Sequence, residues 1–422
     1  MKRDARRTNA IVGALLLALA ATGAFADPPL PTASPESQGF SPERLERLHQ
    51  RLAGLVAEGQ YAGMVSLVAR NGRIVDWRTY GLRDVEERLP MEKDTIVRIY
   101  SMSKILTSVA ALILHEEGRL KLDDPVSKYL PLLEKPKVMK GGTAKAPVLV
   151  AAKAPITIKH LLTHTSGFIY GFGETPIDKI YNQSGMFDAS SMDEFVARAA
   201  KLPLAHEPGT AFRYGISTDI LGAVIEKVSG QTLDAFVEQR ICRPLGMADT
   251  SYDVPAEKMG RLAKVYHRKD GRFQPMDPVA ASFAEKGRGF PTGGAGMFST
   301  AGDYARFAQM LLGGGELDGV RILGRKTVEL MRANHLNHLA RTTHEFSEAD
   351  GFGLGVYVRQ DLAKSNQLGS AGTFGWSGAA TTNVIMDPQE KLVAVLMAQH
   401  MPFNEHDLFW HFSTLTYQAL VE

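Results

Sequence analysis

Cysteine is almost absent from this chain. Cys242 stands alone among 422 residues, so no internal disulfide can form and the fold must rest on its core. A chain of this length can bury enough surface to need no staple. Cys242 sits in Arg240-Ile241-Cys242-Arg243-Pro244-Leu245, with no histidine beside it. The flanking arginines could lower its pKa, but the apolar setting reads as a buried, inert thiol. An excess of charge is lacking too: 48 Lys and Arg face 46 Asp and Glu. A net of +2 gives no reason to invoke nucleic acid or an anionic membrane. Internal repeats and long low-complexity tracts are missing. No serine sits in a G-x-S-x-G elbow, which argues against an α/β-hydrolase. His335, His338 and His344 lack a His-Glu-x-x-His frame or a cysteine partner, so they read as a solvated loop rather than a zinc site. No Gly-Lys-Ser/Thr follows Gly293–Gly296, so that run reads as a tight turn rather than a phosphate loop. No metal or cofactor is expected.

What is present begins with a leader. Lys2, Arg3, Arg6 and Arg7 precede an apolar run from Ala10 to Ala21, and Ala24-Phe25-Ala26 offers a small-x-small cleavage site. The run is too short for a spanning helix, although an uncleaved anchor is the alternative. With Asp4, the leader carries +3, which leaves −1 for the rest of the chain. The expectation is export to the periplasm or the medium, with no stable membrane insertion after cleavage. Over the whole chain, 44% hydrophobic and 22% charged residues fit a soluble globular protein.

Local signals then mark the elements. Ser41-Pro42-Glu43 starts a helix, with Leu45, Leu48, Leu52, Leu55 and Val56 at helical spacing. Asn71-Gly72 between Met64–Arg70 and Arg73–Trp77 predicts a hairpin. A helix apolar nearly all round runs from near Ser101 to Gly118. Residues 130 to 155 read as a connecting loop or excursion. Further helices are predicted over Thr218 to Ser229 and from a Thr300 start, and a terminal one from about Asn404. Ala380 to Met386 and Leu392 to Met397 are strand-like. Strands at both ends with helices between imply a sheet assembled from the two termini, the helical part being an insertion.

Ser101-Met102-Ser103-Lys104 is the S-x-x-K pattern. Positions i and i+3 share a helix face, so Lys104 can reach the Ser101 hydroxyl and take its proton. Alone, the pattern also fits a capping serine and a surface lysine. The helix around it is apolar on every side, so Lys104 is a buried charge that needs a role.

In order along the chain follow Leu161-Leu162-Thr163-His164-Thr165-Ser166-Gly167, Pro208-Gly209-Thr210-Ala211-Phe212-Arg213-Tyr214, Pro244-Leu245-Gly246-Met247, Gly293-Gly294-Ala295-Gly296-Met297-Phe298-Ser299-Thr300 and Gly375-Trp376-Ser377-Gly378. With the S-x-x-K, this series resembles the serine β-lactamase and penicillin-binding superfamily, most closely the family VIII carboxylesterases and class C β-lactamases. The resemblance implies an α+β fold: an antiparallel sheet built from both termini, flanked by helices, with a mostly helical inserted subdomain. It implies a hydrolase domain over 27–422, its sheet part about 27–130 and 290–422 and its helical part about 131–289, behind a signal peptide over 1–26. It assigns Ser101 as nucleophile, Lys104 and Tyr214 as a coupled acid–base pair, and the backbone N–H groups of Ser101 and Ala379 as oxyanion donors, with Gly378 giving the backbone room. The alternative for Tyr214 is a core tyrosine. His164 reads as a residue that ties loops rather than a base.

Two departures bear on substrate. Class C β-lactamases have an asparagine two residues after the catalytic tyrosine; here that place holds Ile216. They also carry Lys-Thr-Gly where this chain has Trp376-Ser377-Gly378. An apolar wall in place of a cation disfavours anionic, amide-bearing substrates and favours neutral acyl esters. The expected function is therefore a serine hydrolase of short-chain acyl esters. The alternative is a β-lactamase, DD-peptidase or D-amino-acid peptidase, which shares the nucleophile and oxyanion hole. A non-catalytic penicillin-binding-like protein is a third reading, and it leaves the presence of Ser101, Lys104 and Tyr214 unexplained.

Overall fold

The computed structural model describes residues 29–276, 290–339 and 348–422. The leader over 1–26 and His344 lie outside them. Helix α1 (Pro42–Ala57) starts as expected: the Ser41 hydroxyl accepts the Arg44 N–H, and Pro42 occupies the first turn. Strands β1 (Gly63–Arg70) and β2 (Arg73–Asp84) follow, joined through Asn71 and Gly72 at φ 52° and 74°. Both turn residues are left-handed, which matches the right-handed twist of the paired strands.

After a short β3 (Leu89–Pro90), the remaining strands of the sheet come from the far end of the chain. They are β4 (Asp350–Phe352), β5 (Tyr357–Arg359), β6 (Phe374–Gly378), β7 (Thr382–Asp387) and β8 (Leu392–Ala398). The eight-stranded order is β4-β5-β6-β7-β8-β1-β2-β3, with every pair antiparallel. The N-terminal hairpin thus docks against β8, through Met64↔Ala398 to Arg70↔Leu392.

Helices cover both faces of this sheet. Val65, Leu67 and Ala69 of β1 share one core cluster with Val393, Val395 and Met397 of β8, under helices α2 (Ser103–Glu116) and α4 (Ala301–Leu312). Met64, Val68, Leu392, Ala394 and Leu396 point the other way, onto α1 and the C-terminal helix α5 (Leu408–Tyr417). Burial on both faces explains why these strands read as unbroken apolar runs. Helix α3 (Ser217–Ser229), closed by Gly230 at φ 76°, packs on α2 from the inserted part.

Two expectations need correction. Residues 130 to 155 are not simply a loop: Lys137–Gly142 pairs with Pro147–Ala151 as an outlying hairpin. Its Val148-Leu149-Val150 run had a strand signal, diluted by the Lys, Gly, Ala and Pro around it. The α-helix carrying Lys104 starts at Ser103, because Tyr100–Met102 forms a tighter 3-10 turn leading into it. Among the described residues no helix is long and apolar enough to cross a membrane.

Candidate active site

Ser101 lies in the 3-10 turn Tyr100–Met102 that leads into α2, just after Val97–Arg98 pairs with Phe298–Ser299. The residue before it, Tyr100, has φ 43°, a conformation that side-chain-bearing residues seldom adopt. The turn is pinned on several sides. The Met102 carbonyl accepts the Tyr304 hydroxyl at 2.9 Å, and the Ser103 hydroxyl accepts the Met297 N–H at 3.1 Å.

The i, i+3 spacing does what the sequence requires of it: Lys104 Nζ is 3.2 Å from Ser101 Oγ. Lys104 is 1% exposed. Its nitrogen also donates to the Tyr170 hydroxyl at 2.9 Å and to the Gly294 carbonyl at 2.7 Å. An ammonium has three protons, and each has an acceptor here, which is what makes a buried lysine tolerable. The ring centroids of Tyr214 and Tyr170 lie 4.7 Å and 5.2 Å from the same nitrogen, adding cation–π attraction.

Tyr214 sits on the loop that enters α3, and His164 holds that loop. The His164 carbonyl accepts the Arg213 N–H at 2.9 Å, and its Nδ1 accepts the Gly215 N–H at 3.4 Å. The ring proton therefore resides on Nε2, facing the Thr218 hydroxyl. Burial and the charge of Lys104 push the His164 pKa well below its ordinary value, so the ring is neutral. Its ring lies 4.9 Å from that of Tyr214. His164 is a tie between loops.

On the opposite wall, Trp376 of β6 donates its indole N–H to the Tyr214 hydroxyl at 3.3 Å. The tryptophan is thus an apolar wall and also a hydrogen-bond anchor for the phenol. Strand β5 pairs with β6 at Phe374 and Gly375, ahead of Trp376. Gly378 is required by space: a Cβ there would lie 2.3 Å from the Ile99 carbonyl oxygen. That approach brings the end of β6, and Ala379 after it, against the backbone leading into Ser101. A turn closed by the Thr381 N–H on the Gly378 carbonyl, 3.0 Å, follows at once.

Ile216 is where the structure departs from the sequence reading. It has no exposed surface and belongs to the main core, so it does not face substrate. Tyr214 is still in the loop, whereas Ile216 caps α3, whose first turns are wholly buried.

Three participants were missed. Tyr170 follows the Thr165-Ser166-Gly167 turn; it is partly buried, and desolvation together with Asp219 and Tyr214 raises its pKa well above the ordinary value. Asp219, the acid in the first turn of α3, is 1% exposed and lies under Tyr170. A lone acid in an otherwise apolar helix start was the available signal. Gly294 supplies the carbonyl to Lys104; a Cβ there would lie 2.6 Å from Asp219 Oδ2 and 2.8 Å from the Tyr170 hydroxyl oxygen. The glycine run is a turn, as expected, but one shaped to reach Lys104.

Tyr170 and Tyr214 also line a cavity of about 720 Å³, whose walls include Ile177, Phe212 and Arg213. Phe172 stands at its rim, 84% exposed and stacked on Tyr170. Elsewhere, His335 and His338 bond to the backbone carbonyls of Leu330 and Gly209, and no metal-binding cluster occurs among the described residues. Cys242 is buried, and burial pushes its thiol pKa far up.

Known proteins share this arrangement of chain. The β-lactamase family model matches residues 48–414. Protein Rv1367c of Mycobacterium tuberculosis is 36% identical over 353 residues, which is 82% of this chain and 87% of that protein. Esterase EstB of Burkholderia gladioli is 32% identical over 348 residues, 76% of this chain and 81% of that one. The solved structure of EstCE1, a hydrolase with promiscuous acyltransferase activity, superposes with a TM-score of 0.77 at 28% identity, over 89% of this chain and 99% of that chain. With a family match over most of its length and relatives of this identity and coverage, the chain belongs to the β-lactamase family of serine hydrolases.

Proposed function

We propose that the chain is an exported serine hydrolase that cleaves short-chain acyl esters through an acyl-enzyme on Ser101. The observation that carries the ester reading is Trp376. An indole, bonded to Tyr214, stands where lactam-cleaving relatives of the family carry a cation for the substrate carboxylate. The esterase EstB and the hydrolase EstCE1 among the similar proteins support the same reading. Export rests on the leader alone.

The geometry divides the chemistry. Lys104 has all three protons committed, so it acts as an ammonium that orients Ser101 and lies against Tyr214. Tyr170 holds its proton and is no base. Tyr214, whose ring lies against Lys104, is the group left to take the Ser101 proton. Ser101 Oγ attacks the acyl carbon. The oxyanion forms against the N–H groups of Ser101 and Ala379. Tyr214 returns the proton to the leaving alcohol. Water then repeats the sequence and releases the acid.

The test compares p-nitrophenyl butyrate with nitrocefin, on the mature protein and on Ser101→Ala. Ester cleavage lost in Ser101→Ala, with nitrocefin turned over slowly or not at all, is the expected result. Nitrocefin turnover well above ester turnover would put an antibiotic or cell-wall substrate first. A narrower expectation concerns the indole. Trp376→Phe keeps the wall but removes the N–H bond to Tyr214, worth about 1 kcal/mol, so kcat should fall roughly fivefold with KM little changed. A raised KM at constant kcat would show that Trp376 only binds.

A further inference from the structure

The acceptors of Lys104 lead deeper into the protein. The Tyr170 hydroxyl, which accepts from Lys104, turns its own proton to Asp219 Oδ2 at 3.4 Å. Asp219 Oδ1 accepts the Gly294 N–H at 2.9 Å, and the Gly294 carbonyl accepts from Lys104 at 2.7 Å. Two routes therefore run from one carboxylate to one ammonium, the first through the Tyr170 phenol and the second through the backbone N–H and carbonyl of Gly294. Both oxygens of Asp219 act as acceptors, the pattern of an ionised carboxylate.

We propose that Asp219 is a positioning residue of the acyl-transfer site: through Tyr170 and Gly294 it fixes Lys104 Nζ against Ser101 and supplies the buried counter-charge of that ammonium. This rests on the reading of Ser101, Lys104 and Tyr214 as an acyl-transfer centre. It adds that the centre is held from behind, by a group that never touches substrate.

Burial supports the pairing. A carboxylate and an ammonium that are each 1% exposed are costly alone and tolerable together. Burial raises the Asp219 pKa, and Lys104 is the first influence opposing that rise. The ionisable groups facing Asp219 are Lys104 from α2, Tyr170 from the loop after Gly167, and Tyr252; Tyr214 stands behind Tyr170 and neutral His164 behind Thr218. Lys104 is the cation of this set. The glycine at 294 fits the same logic, because a side chain there would strike both Asp219 and Tyr170.

The test uses the mature chain, its Asp219→Asn, Asp219→Glu and Tyr170→Phe variants, and the Asp219→Asn/Tyr170→Phe double variant. It reads the rate at which a fluorophosphonate labels Ser101, the pH profile of kcat/KM on p-nitrophenyl butyrate, and Tm. Asp219→Asn should slow labelling by up to about a hundredfold, the cost of a reacting group misplaced by about 1 Å, with KM little changed. A negative charge favours protons on its neighbours, so its loss should move both limbs of the profile to lower pH. Asp219→Glu should return the profile toward that of the wild type. The double variant should lose less than the product of the single losses, because both act through Lys104. Labelling within twofold of wild type in folded Asp219→Asn, with an unmoved profile, overturns the proposal. Should Asp219→Asn fail to fold, Tyr170→Phe decides: it cuts the phenol route alone, and wild-type labelling there overturns the proposal equally. If the wild type hydrolyses nitrocefin rather than the ester, the substrate reading fails while the labelling comparison still stands.

Discussion

Replacing Lys104 with methionine should lower ester turnover by about four orders of magnitude and also destabilise the protein by about 3 kcal/mol. The catalytic loss follows from the three bonds of Nζ. Methionine fills the channel but gives Ser101 no partner and leaves Tyr214 without the charge beside its ring. The stability loss follows from Asp219. A buried carboxylate deprived of its counter-ion is an uncompensated charge, and its pKa, already raised by burial, rises further once Lys104 is gone. The sign of the pH dependence is then fixed. A folded-state pKa above the unfolded value of about 3.9 means that the folded protein keeps a proton that the unfolded chain releases. Stability is full below that value and is lost as pH climbs through the folded pKa. Lys104→Met should therefore melt at progressively lower temperature from about pH 4 upward. Adding Asp219→Asn should flatten that dependence and recover stability without recovering activity. A Lys104→Met protein whose Tm is unchanged and equally flat in pH would show that Lys104 and Asp219 are not paired.

Gly378→Ala should cost about 10²- to 10³-fold in kcat, the loss typical of a misplaced oxyanion donor. The new methyl would lie 2.3 Å from both the Ile99 carbonyl oxygen and the Thr382 hydroxyl. Neither is the end of a flexible side chain free to move aside. Strand β6 must therefore withdraw, carrying Ala379 and its N–H away from Ser101. The difficulty is one of space, since Gly378 is not among the glycines with positive φ. Gly260→Ala is the control, because nothing lies within 4 Å of its added methyl. It should leave both rate and Tm at the wild-type level. Full activity in Gly378→Ala would mean that Ala379 does not serve the oxyanion.

Local chemistry made the frame legible in the sequence. Ser41 and Thr300 cap their helices as read, and Asn71-Gly72 closes its hairpin. The Ser101–Lys104 contact follows from helical spacing alone. Contacts between distant segments were not legible. Tyr170 meets Lys104 across 66 residues of sequence, and Gly294 does so across 190. Neither carries a spacing that announces it. Ile216 was misplaced by the opposite error, in which nearness in sequence stood for nearness to substrate. Two residues beyond Tyr214 the chain has already turned into the buried start of α3. The role of Trp376 was half read: its ring was evident from its residue type, but its bond to Tyr214 needed the fold.

A covalent acyl group on Ser101 is the intermediate on which this chemistry turns, and the direct measurement is to trap it. The protein is mixed with p-nitrophenyl butyrate, quenched in acid within milliseconds, digested and weighed by mass spectrometry. One butyryl group on the peptide carrying Ser101, absent from Ser101→Ala, is the expected result. Turnover of the ester with no adduct on that peptide, or with the acyl group on another residue, would contradict it.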